Sequence, residues 1–411
     1  MSVVKFADVC QKIGSGATPR GGKEAYCAEG VTLVRSQNVL DFSFSNDGLA
    51  YINDEQADKL RNVELQSGDV LLNITGDSVA RACLMDDDYL PGRVNQHVSI
   101  IRADESKVVN SYLLYYLQWR KSHLLQLASA GATRNALTKG MIEQLEIDLP
   151  SLGEQRKVVG ILDSIQNKIK LNHEINDNLE QQAQAIFKEW FIENPENNEW
   201  STGTFSELIK TTLNGDWGKE APTGNNTEKV YCIRGADIPE VKAGNKGKMP
   251  TRYILPKNFV TKQLTAGDIV VEISGGSPTQ STGRCTAITQ SLLDRYDSGM
   301  VCTNFCKAIK PKEGYSLFIY YYWQYLYSKG IFFSYENGTT GIKNLDFSGF
   351  IETETILIPP VDKVIAFDDY CKSIFNQIFA NGKQNEHLAV LRDTLLPKLM
   401  SGEIDVSDIQ L

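Results

Sequence analysis

The residues of this chain that come nearest to a catalytic site lie in the segment DIPEVK, residues 237–242. Glu240 and Lys242 have the spacing of a metal-dependent nuclease, in which carboxylates and a lysine surround a metal ion. Such a site needs one or two further acidic residues, and the first half of the chain has no equivalent pair. A nuclease built around Glu240 and Lys242 therefore stays an alternative rather than the main hypothesis.

Signatures of other covalent chemistries are missing from the sequence. It contains no GxxxxGK[ST] phosphate loop, no GxSxG elbow, no HExxH pair and no GxGxxG run. None of the four histidines adjoins a suitable nucleophile and acid, and Cys302 and Cys306 supply only two of the four ligands of a structural zinc site. We expect no catalysis, no metal and no cofactor, and we expect buried, reduced thiols.

Two long segments with heptad spacing repeat each other, at about residues 153 to 192 and 362 to 401, with a constant offset of 209. Apolar residues at the a and d positions predict coiled-coil helices. Both seams carry asparagines at the same central places, Asn172 and Asn176 in the first and Asn381 and Asn385 in the second. Because a buried Asn needs a polar partner, we predict that these four fix the register of an antiparallel pair. Alternatively, each helix packs on its own domain and the asparagines face solvent.

The segments before the two helices also repeat. LVRSQNV, residues 33–39, matches CIRGADI, residues 232–238, and SGDVLLNITG, residues 67–76, matches AGDIVVEISG, residues 266–275. The offset drifts from 199 to 209 along the segments, which indicates insertions in surface loops of a conserved scaffold. Aromatic runs at residues 112–119 and 320–327 occupy matching places with helical spacing, which favours core helices over base-stacking platforms.

These repeats predict an α+β protein. It has two strand-rich α/β domains related by a pseudo-twofold and separated by two long antiparallel coiled-coil helices. The predicted segments are a first domain at 1–150, a central spacer helix at 151–193, a second domain at 194–358, and a C-terminal helix and tail at 359–411. The first residues lack the pattern of a signal peptide, and the most apolar stretch is too short to span a bilayer. We therefore expect a cytoplasmic protein with no membrane contact.

The formal net charge is -9, and in none of the four segments do lysine and arginine outnumber the acidic residues. Nucleic-acid binding driven by counterion release needs clustered cations. We therefore expect this chain by itself to hold DNA weakly.

The order of domain, helix, domain and helix resembles the specificity subunit of type I restriction-modification systems. The motifs that carry the resemblance are TPRGGKEAY, SGDVLLNITG, GATRNALT and LPSLGEQRKVVGIL in the first half, and SGGSPTQSTG, LIPP and LLPKLMSGEI in the second. The most specific are the entry to the first helix, with Leu149, Pro150 and residues 154–156, and the stretches 395–397 and 401–404. The second helix departs from the family pattern, because Asp362 and Lys363 replace the Glu-Gln-Arg entry.

The resemblance implies two target recognition domains, each of which contacts one half of a bipartite sequence in double-stranded DNA. It implies two methyltransferase subunits as partners, joined by restriction subunits in the full complex, and no catalysis by this chain. About 40 helical residues at ~1.5 Å each give a spacer of roughly 60 Å, whose length would set the gap between half-sites. The alternative is a coiled-coil scaffold that does not contact DNA, which the acidic charge would also suit.

Side chains that could contact bases lie in loops near turn glycines, where Arg, Gln, Ser and Thr present donors and acceptors to base edges. Arg81 and Arg284 have additional support, because each follows a matched glycine-rich turn and precedes a strand. For every candidate the alternative role is a capped turn or a surface ion pair. The candidates are Thr18, Arg20, Arg35, Thr75, Ser78, Arg81 and Arg134 in the first domain, and Trp217, Lys219, Arg234, Ser277, Gln280, Thr282 and Arg284 in the second.

Overall fold

A computed structural model of the chain describes residues 2–19, 21–129, 135–277, 280–338 and 342–409. The chain forms two compact units, one of residues 1–167 with 388–411 and one of residues 168–387. Each unit combines one predicted globular segment with parts of both predicted long helices. Among the described residues, no helix is both long and apolar enough to cross a bilayer.

The first unit contains a four-stranded sheet of order β2-β8-β5-β6 and a three-stranded sheet of order β4-β3-β7. Strand β5 is buried along its whole length, because its two faces pack into two different clusters of buried apolar side chains. Leu71 packs with the three-stranded sheet, while Val70 and Leu72 pack with a helix on the other side, as alternation along a strand requires. The strands are β1 Ser2–Lys5, β2 Cys10–Ser15, β3 Val31–Val34, β4 Ala50–Ile52, β5 Val70–Asn73, β6 Ala82–Leu84, β7 Gly92–Val94, β8 Val98–Ala103 and β9 Glu146–Leu149.

The helix that packs on β5 is the first predicted aromatic run, Asn110–Trp119. Tyr112, Tyr115 and Tyr116 are buried in it, so the prediction of a core helix is confirmed. The backbone N–H of Val109 at its start donates to Gln155 Oε1 at 2.9 Å, which satisfies one of the free donors at a helix N-terminus. The other helices of this segment are Phe6–Val9, Asp54–Lys59, Lys121–Ser129 and Lys139–Glu143.

The second unit repeats this architecture, with a four-stranded sheet of order β11-β18-β14-β16 and a three-stranded sheet of order β13-β12-β17. It adds a small sheet of order β15-β20-β19. The strands are β10 Ser201–Thr204, β11 Ile209–Asn214, β12 Glu228–Ile233, β13 Thr251–Ile254, β14 Ile269–Glu272, β15 Ser274–Gly275, β16 Cys285–Ala287, β17 Gly299–Cys302, β18 Cys306–Pro311, β19 Glu336–Asn337, β20 Lys343–Leu345 and β21 Thr355–Ile358.

The second aromatic run forms the helix Ser316–Ser328, with Tyr320, Tyr321 and Trp323 buried. Its start is also capped from a long helix, because the backbone N–H of Leu317 donates to Asp368 Oδ1 at 3.0 Å. The second aromatic prediction is therefore confirmed as well. The other helices of this segment are Phe205–Leu208, Ile238–Lys242, Pro256–Lys262, Gln290–Leu293 and Phe347–Thr353.

Two long helices follow the globular segments, as the heptad patterns predict. The central helix is Leu152–Phe187, continued by a π-helical turn at Lys188–Ile192, and the C-terminal helix is Val361–Met400. In the first unit, Leu162 of the central helix and Leu399 of the C-terminal helix belong to one buried cluster. In the second unit the two helices are also in contact, through the asparagines described below.

Each globular segment is closed by a pair of antiparallel strands at its two ends. In the first, β1 pairs with β9, so that Ser2 lies opposite Leu149. In the second, β10 pairs with β21, so that Ser201 lies opposite Ile358. The chain therefore enters and leaves each segment at neighbouring points.

Candidate nucleic-acid interface

The candidates near strand termini lie at the same end of the four-stranded sheet in each unit. Strands β2 and β5 both run antiparallel to β8, so the residues after β2 and β5 share an end with the residues before β8 and β6. This places Thr18, Thr75 and Arg81 together with the turn before β8. The second unit has the same pairing. Strand β18 runs antiparallel to both β11 and β14, and β16 runs antiparallel to β14.

A glycine in each unit brings the first candidate against this turn. A Cβ added to Gly16 would lie 1.7 Å from the carbonyl oxygen of Val94, and one added to Gly215 would lie 1.8 Å from that of Thr303. Any side chain at these positions would collide with the backbone, so glycine is required. Thr18 and Trp217 each follow two residues after such a glycine.

In the first unit the site is a chain of side-chain hydrogen bonds. The Thr18 hydroxyl donates to Gln96 Oε1, and Gln96 Nε2 lies 3.0 Å from His97 Nε2. The other ring nitrogen, His97 Nδ1, lies 2.6 Å from the hydroxyl of Thr75. Ser78, half-buried, accepts the backbone N–H of Arg81 through its carbonyl. These groups form a polar surface with paired donors and acceptors.

Arg35 and Arg234 occupy equivalent turns after β3 and β12. In both, the backbone N–H donates at 3.0 Å to a side chain three residues later, Asn38 in the first unit and Asp237 in the second. The Arg35 guanidinium donates to the carbonyl of Gly48, and its Nε is buried without a partner among the described residues. Arg234 is held more firmly, because Nε and Nη2 donate to Asp237 at 2.8 and 3.0 Å.

The hydrogen bonds to Asp237 lower the pKa of its carboxyl group. Burial of the carboxyl would raise its pKa, but hydrogen bonds from the Arg234 side chain and from the backbone N–H groups of Arg234 and Lys248 outweigh burial and lower it. Asp237 is therefore ionised at neutral pH. Two of the guanidinium donors of Arg234 are used in hydrogen bonds to Asp237 within the same turn.

Arg81 and Arg284 share a backbone position but not a partner. The strand residue paired with each arginine differs, Asn73 in the first unit and Glu272 in the second. Arg284 binds the Glu272 carboxylate in a bidentate manner, with both contacts at 2.8 Å. The Arg81 guanidinium has no hydrogen bond or ion pair within the described parts of the chain, and Arg81 is half-buried. Of the two arginines, Arg81 is therefore the one whose guanidinium donors are available to a ligand.

The remaining candidates of the second unit differ in accessibility. Lys219 and Gln280 are exposed, and Ser277 and Gln280 close a turn through a 3.1 Å bond from Gln280 N to Ser277 Oγ. Thr282 is fully buried, and its hydroxyl donates to Glu336 at 3.0 Å. In this geometry Thr282 orders the loop and its hydroxyl does not face a ligand. Arg20 and Arg134 lie outside the described residues.

A cavity of about 510 Å³ opens at this end of the second unit. We call it the aromatic cavity, because Trp217 and Phe305 line it and are exposed by 37% and 58%. The Arg252 guanidinium lies 3.8 Å from the centroid of the Trp217 ring. The other lining residues are Arg234, Gly235, Ala236, Glu272, Ser274, Thr303 and Asn304.

Sequence reasoning missed the turn that joins β7 to β8 and β17 to β18. It contributes Gln96 and His97 in the first unit and Asn304 and Phe305 in the second. The signal was available, since GRVNQHV and GMVCTNFC align within the repeat, with a polar and a ring-bearing residue at matching places. These residues follow no glycine-rich turn, the feature that the predicted contact residues share.

The structure brings the four seam asparagines together within the second unit, and all four are buried. Asn172 Nδ2 donates to Asn385 Oδ1 at 2.7 Å, and Asn381 Nδ2 donates to Asn176 Oδ1 at 2.8 Å. Since the higher number on one helix meets the lower number on the other, the helices are antiparallel there. Asn176 Nδ2 also reaches the carbonyl of Ile378 at 3.1 Å.

The nuclease alternative gains no geometric support. Lys242 donates to Gln324 and lies 3.6 Å from Glu180, while Glu240 Oε2 accepts from Asn245 at 3.0 Å. In the described ranges, no three His, Cys, Asp or Glu side chains are grouped as a metal site would require. Cys302 and Cys306 are buried free thiols, and burial raises the pKa of Cys306 to about 12.

Comparison with known proteins gives consistent matches. Residues 1–181 match the family described as the type I restriction modification DNA specificity domain. The chain is 28% identical over 329 residues to the type I restriction enzyme MjaIX specificity subunit of Methanocaldococcus jannaschii, covering 74% of this chain and 71% of that protein. It is 21% identical over 444 residues to the type I restriction enzyme HindI specificity subunit of Haemophilus influenzae, covering 91% and 94%.

A crystal structure of the type I restriction-modification system S subunit from M. genitalium has a similar fold, with a TM-score of 0.53 and 13% identity over 97% of this chain and 95% of that one. Sequence matches and fold agree with the resemblance drawn from the motifs. In sequence and in fold, the chain is therefore similar to the specificity subunits of type I restriction-modification systems.

Proposed function

We propose that this chain is the DNA-reading subunit of a type I restriction-modification complex. Each globular segment contacts one half of a bipartite sequence in double-stranded DNA, and the chain itself carries out no catalysis. Similarity to proteins that are named type I restriction enzyme specificity subunits supports this role. In this proposal residues 1–150 and 194–358 are the recognition domains, and 151–193 and 359–411 are the spacer helices with the tail.

One observation carries the proposal. The same end of the same sheet presents side chains suited to base contacts twice, on one backbone framework but with different residues. Thr18, Thr75 and His97 in the first unit correspond to Trp217, Ser274 and Phe305 in the second. A conserved framework with different contact residues is what two domains require if they bind different half-sites.

The acidic charge fits a division of labour with partners. Phosphate contacts supply most of the affinity of proteins for DNA, and this chain has a formal net charge of -9. We infer that two methyltransferase subunits supply the cationic contacts, and that restriction subunits join them in the full complex. The isolated chain should bind DNA weakly and with strong salt dependence, and should bind tightly once the methyltransferases are present.

Arg81 provides the sharpest test of base contact. Replacing Arg81 with Ala removes donors that no described residue engages, so a lost base contact should cost about 1–3 kcal/mol at one half-site. The strain expressing the variant with its methyltransferase should show relaxed methylation at one position of one half-site by whole-genome modified-base sequencing. Arg61→Ala is the matched control, because Arg61 is 72% exposed and paired only at the surface with Asp58.

Three outcomes separate the hypotheses. Relaxed preference in one half-site with Arg81→Ala, and none with Arg61→Ala, supports the assignment of Arg81. An unchanged target for Arg81→Ala removes that residue but leaves the recognition role intact. A chain that co-purifies with partners yet directs methylation to no particular sequence would contradict the recognition role and favour a scaffold.

The spacer is tested by lengthening both long helices. Seven residues inserted between 167 and 168 and seven between 387 and 388 fall where the compact units divide. Each insertion adds two helical turns, about 10 Å. We expect an unread gap about three base pairs longer, at ~3.4 Å per pair, with both half-sites unchanged. An unaltered gap in the methylation profile would exclude the helices as the spacer.

A further inference from the structure

We propose that the aromatic cavity of the second unit takes one unstacked nucleobase that carries an exocyclic amino group. The proposal rests on the proposed function, since DNA supplies the base. It goes further because a base that enters a cavity must leave its stack, whereas groove contacts leave the duplex paired. The volume of about 510 Å³, the two aromatic side chains and a buried carboxylate together carry the argument.

The walls of the cavity are suited to a flat ring. Trp217 and Phe305 are large apolar side chains exposed by 37% and 58%, a placement that leaves ring surface open to a ligand. Arg252, which is buried and does not line the cavity, stacks its guanidinium 3.8 Å from the Trp217 centroid and holds that ring in place. Stacking of a base on such rings is tolerant of sequence and contributes about 1–3 kcal/mol.

The polar part of the cavity is the carboxylate of Glu272, which is 6% exposed. Each of its oxygens takes one bond from Arg284 at 2.8 Å and keeps a further acceptor site. Gly235 makes room for it, because a Cβ there would lie 2.3 Å from Glu272 Oε1. A carboxylate accepts from the amino groups of cytosine, adenine or guanine, whereas the single N3–H donor of thymine lies between two carbonyl oxygens that the carboxylate repels.

A second polar group of the cavity is the hydroxyl of Thr303. The Thr303 hydroxyl, 2% exposed, lines the cavity and has no hydrogen bond of normal geometry within the described ranges. The Cys306 thiol lies near it, but a thiol is a weak hydrogen-bonding group. A buried hydroxyl without a strong partner costs free energy, and a base edge would satisfy it.

The equivalent place in the first unit is occupied by its own side chains. His97, which corresponds to Phe305, is held by Thr75 at 2.6 Å and by Gln96 at 3.0 Å, and the Thr18 hydroxyl caps the other side of Gln96. Asn73 stands in place of Glu272 and donates to the carbonyl of Ser36 at 2.8 Å. The inference is therefore confined to the second unit, and the first supplies a matched control.

The test is binding of the four deoxynucleosides to the purified full chain, measured by saturation-transfer difference NMR. We expect saturation transfer to the base protons of deoxyadenosine, deoxycytidine or deoxyguanosine at millimolar concentration, and at least fivefold weaker binding of thymidine. Phe305→Ala should weaken binding about tenfold, which corresponds to about 1.4 kcal/mol of lost stacking. His97→Ala, at the equivalent position of the first unit, should leave the affinity unchanged.

A second variant probes the polar part of the cavity without touching the aromatic rings. Gly235→Ala displaces the Glu272 carboxylate and should remove the preference over thymidine. Phe305 is exposed, so its replacement should leave the thermal unfolding curve unchanged, and this curve is the check that the variant is folded.

The inference is overturned if the wild-type chain transfers saturation to none of the four nucleosides, if thymidine binds as well as the others, or if Phe305→Ala binds like the wild type. Methylation profiling of a strain that expresses the wild-type chain with its methyltransferase distinguishes failure of the cavity proposal from failure of the proposed function. If the strain methylates a two-part target but the chain binds no nucleoside, only the cavity proposal is wrong. If methylation follows no particular sequence, the recognition role is wrong.

Discussion

The paired asparagines should stabilise the helix pair jointly, and this can be measured in the second unit. Asn381→Ala removes the 2.8 Å bond from Asn381 Nδ2 and leaves Asn176 Oδ1 buried without that donor. An unsatisfied buried acceptor costs about 1–3 kcal/mol. Asn176→Ala should cost more, because Asn176 also bonds the carbonyls of Ile378 and Ala243, each at 3.1 Å.

The double variant loses the shared bond only once, so the two single costs should exceed the cost of the double change by about 1 kcal/mol or more. Because the chain has two compact units, global unfolding is a poor measure of one helix pair. Amide hydrogen exchange by mass spectrometry on peptides covering residues 374–386 reports local opening instead. A loss of about 1.4 kcal/mol appears there as tenfold faster exchange.

Gln182→Ala is the control, because Gln182 is exposed on the same central helix and its loss should change the free energy of opening by less than about 0.5 kcal/mol. Additive single effects, within about 0.5 kcal/mol, would refute a joint role of the pair. They would mean that each asparagine is satisfied independently and does not set the register.

Two further predictions concern the second unit. Gly382→Ala should destabilise it, although alanine favours helices by about 1 kcal/mol, because the new Cβ would lie 1.9 Å from the carbonyl oxygen of Gly244. Gly153→Ala, where the nearest neighbour is 3.8 Å away, should be neutral or stabilising, and equal thermal shifts for the two variants would contradict this packing. Asp237→Asn should lower stability at neutral pH and lose that effect in acid. The lowered pKa of Asp237 means that its ion pair with Arg234 stabilises the fold above the unfolded-state value of about 3.9 and ceases to do so as pH falls through the folded-state value. Amide hydrogen exchange on peptides of the second unit at pH 7 and at pH 3 compares the stability of Asp237→Asn and the wild type at each pH, and a pH-independent difference would speak against the ion pair.

The parts of the fold that sequence predicts well are those with strong periodicity. Heptad spacing located the helices Leu152–Phe187 and Val361–Met400 with only small differences at their ends. Aromatic runs at helical spacing identified two core helices, because burying Tyr112 or Trp323 removes more apolar surface from water than any other use of such residues. Both halves of the chain carry the same patterns, so each half supports the prediction made for the other.

The site was harder to predict because its properties depend on contacts between distant strands. Arg81 and Arg284 look alike in sequence, and only the residue across the sheet, Asn73 or Glu272, decides whether the guanidinium is engaged. Thr282 likewise follows a glycine-rich turn, yet it is buried beside Glu336, 54 residues further along the chain. A loop motif identifies a region where ligands bind, but long-range pairing decides which side chains in it are available.

The strand pairs β1 with β9 and β10 with β21 have an evolutionary consequence. Because the first and last strands of a segment are hydrogen-bonded to each other, the chain enters and leaves the whole segment at one place. Genetic recombination with crossovers in the DNA that encodes the long helices could exchange one segment for a homologue that keeps the apolar face packed on those helices. Under the proposed function, a single exchange of this kind would change the DNA sequence that is recognised, while both long helices are kept.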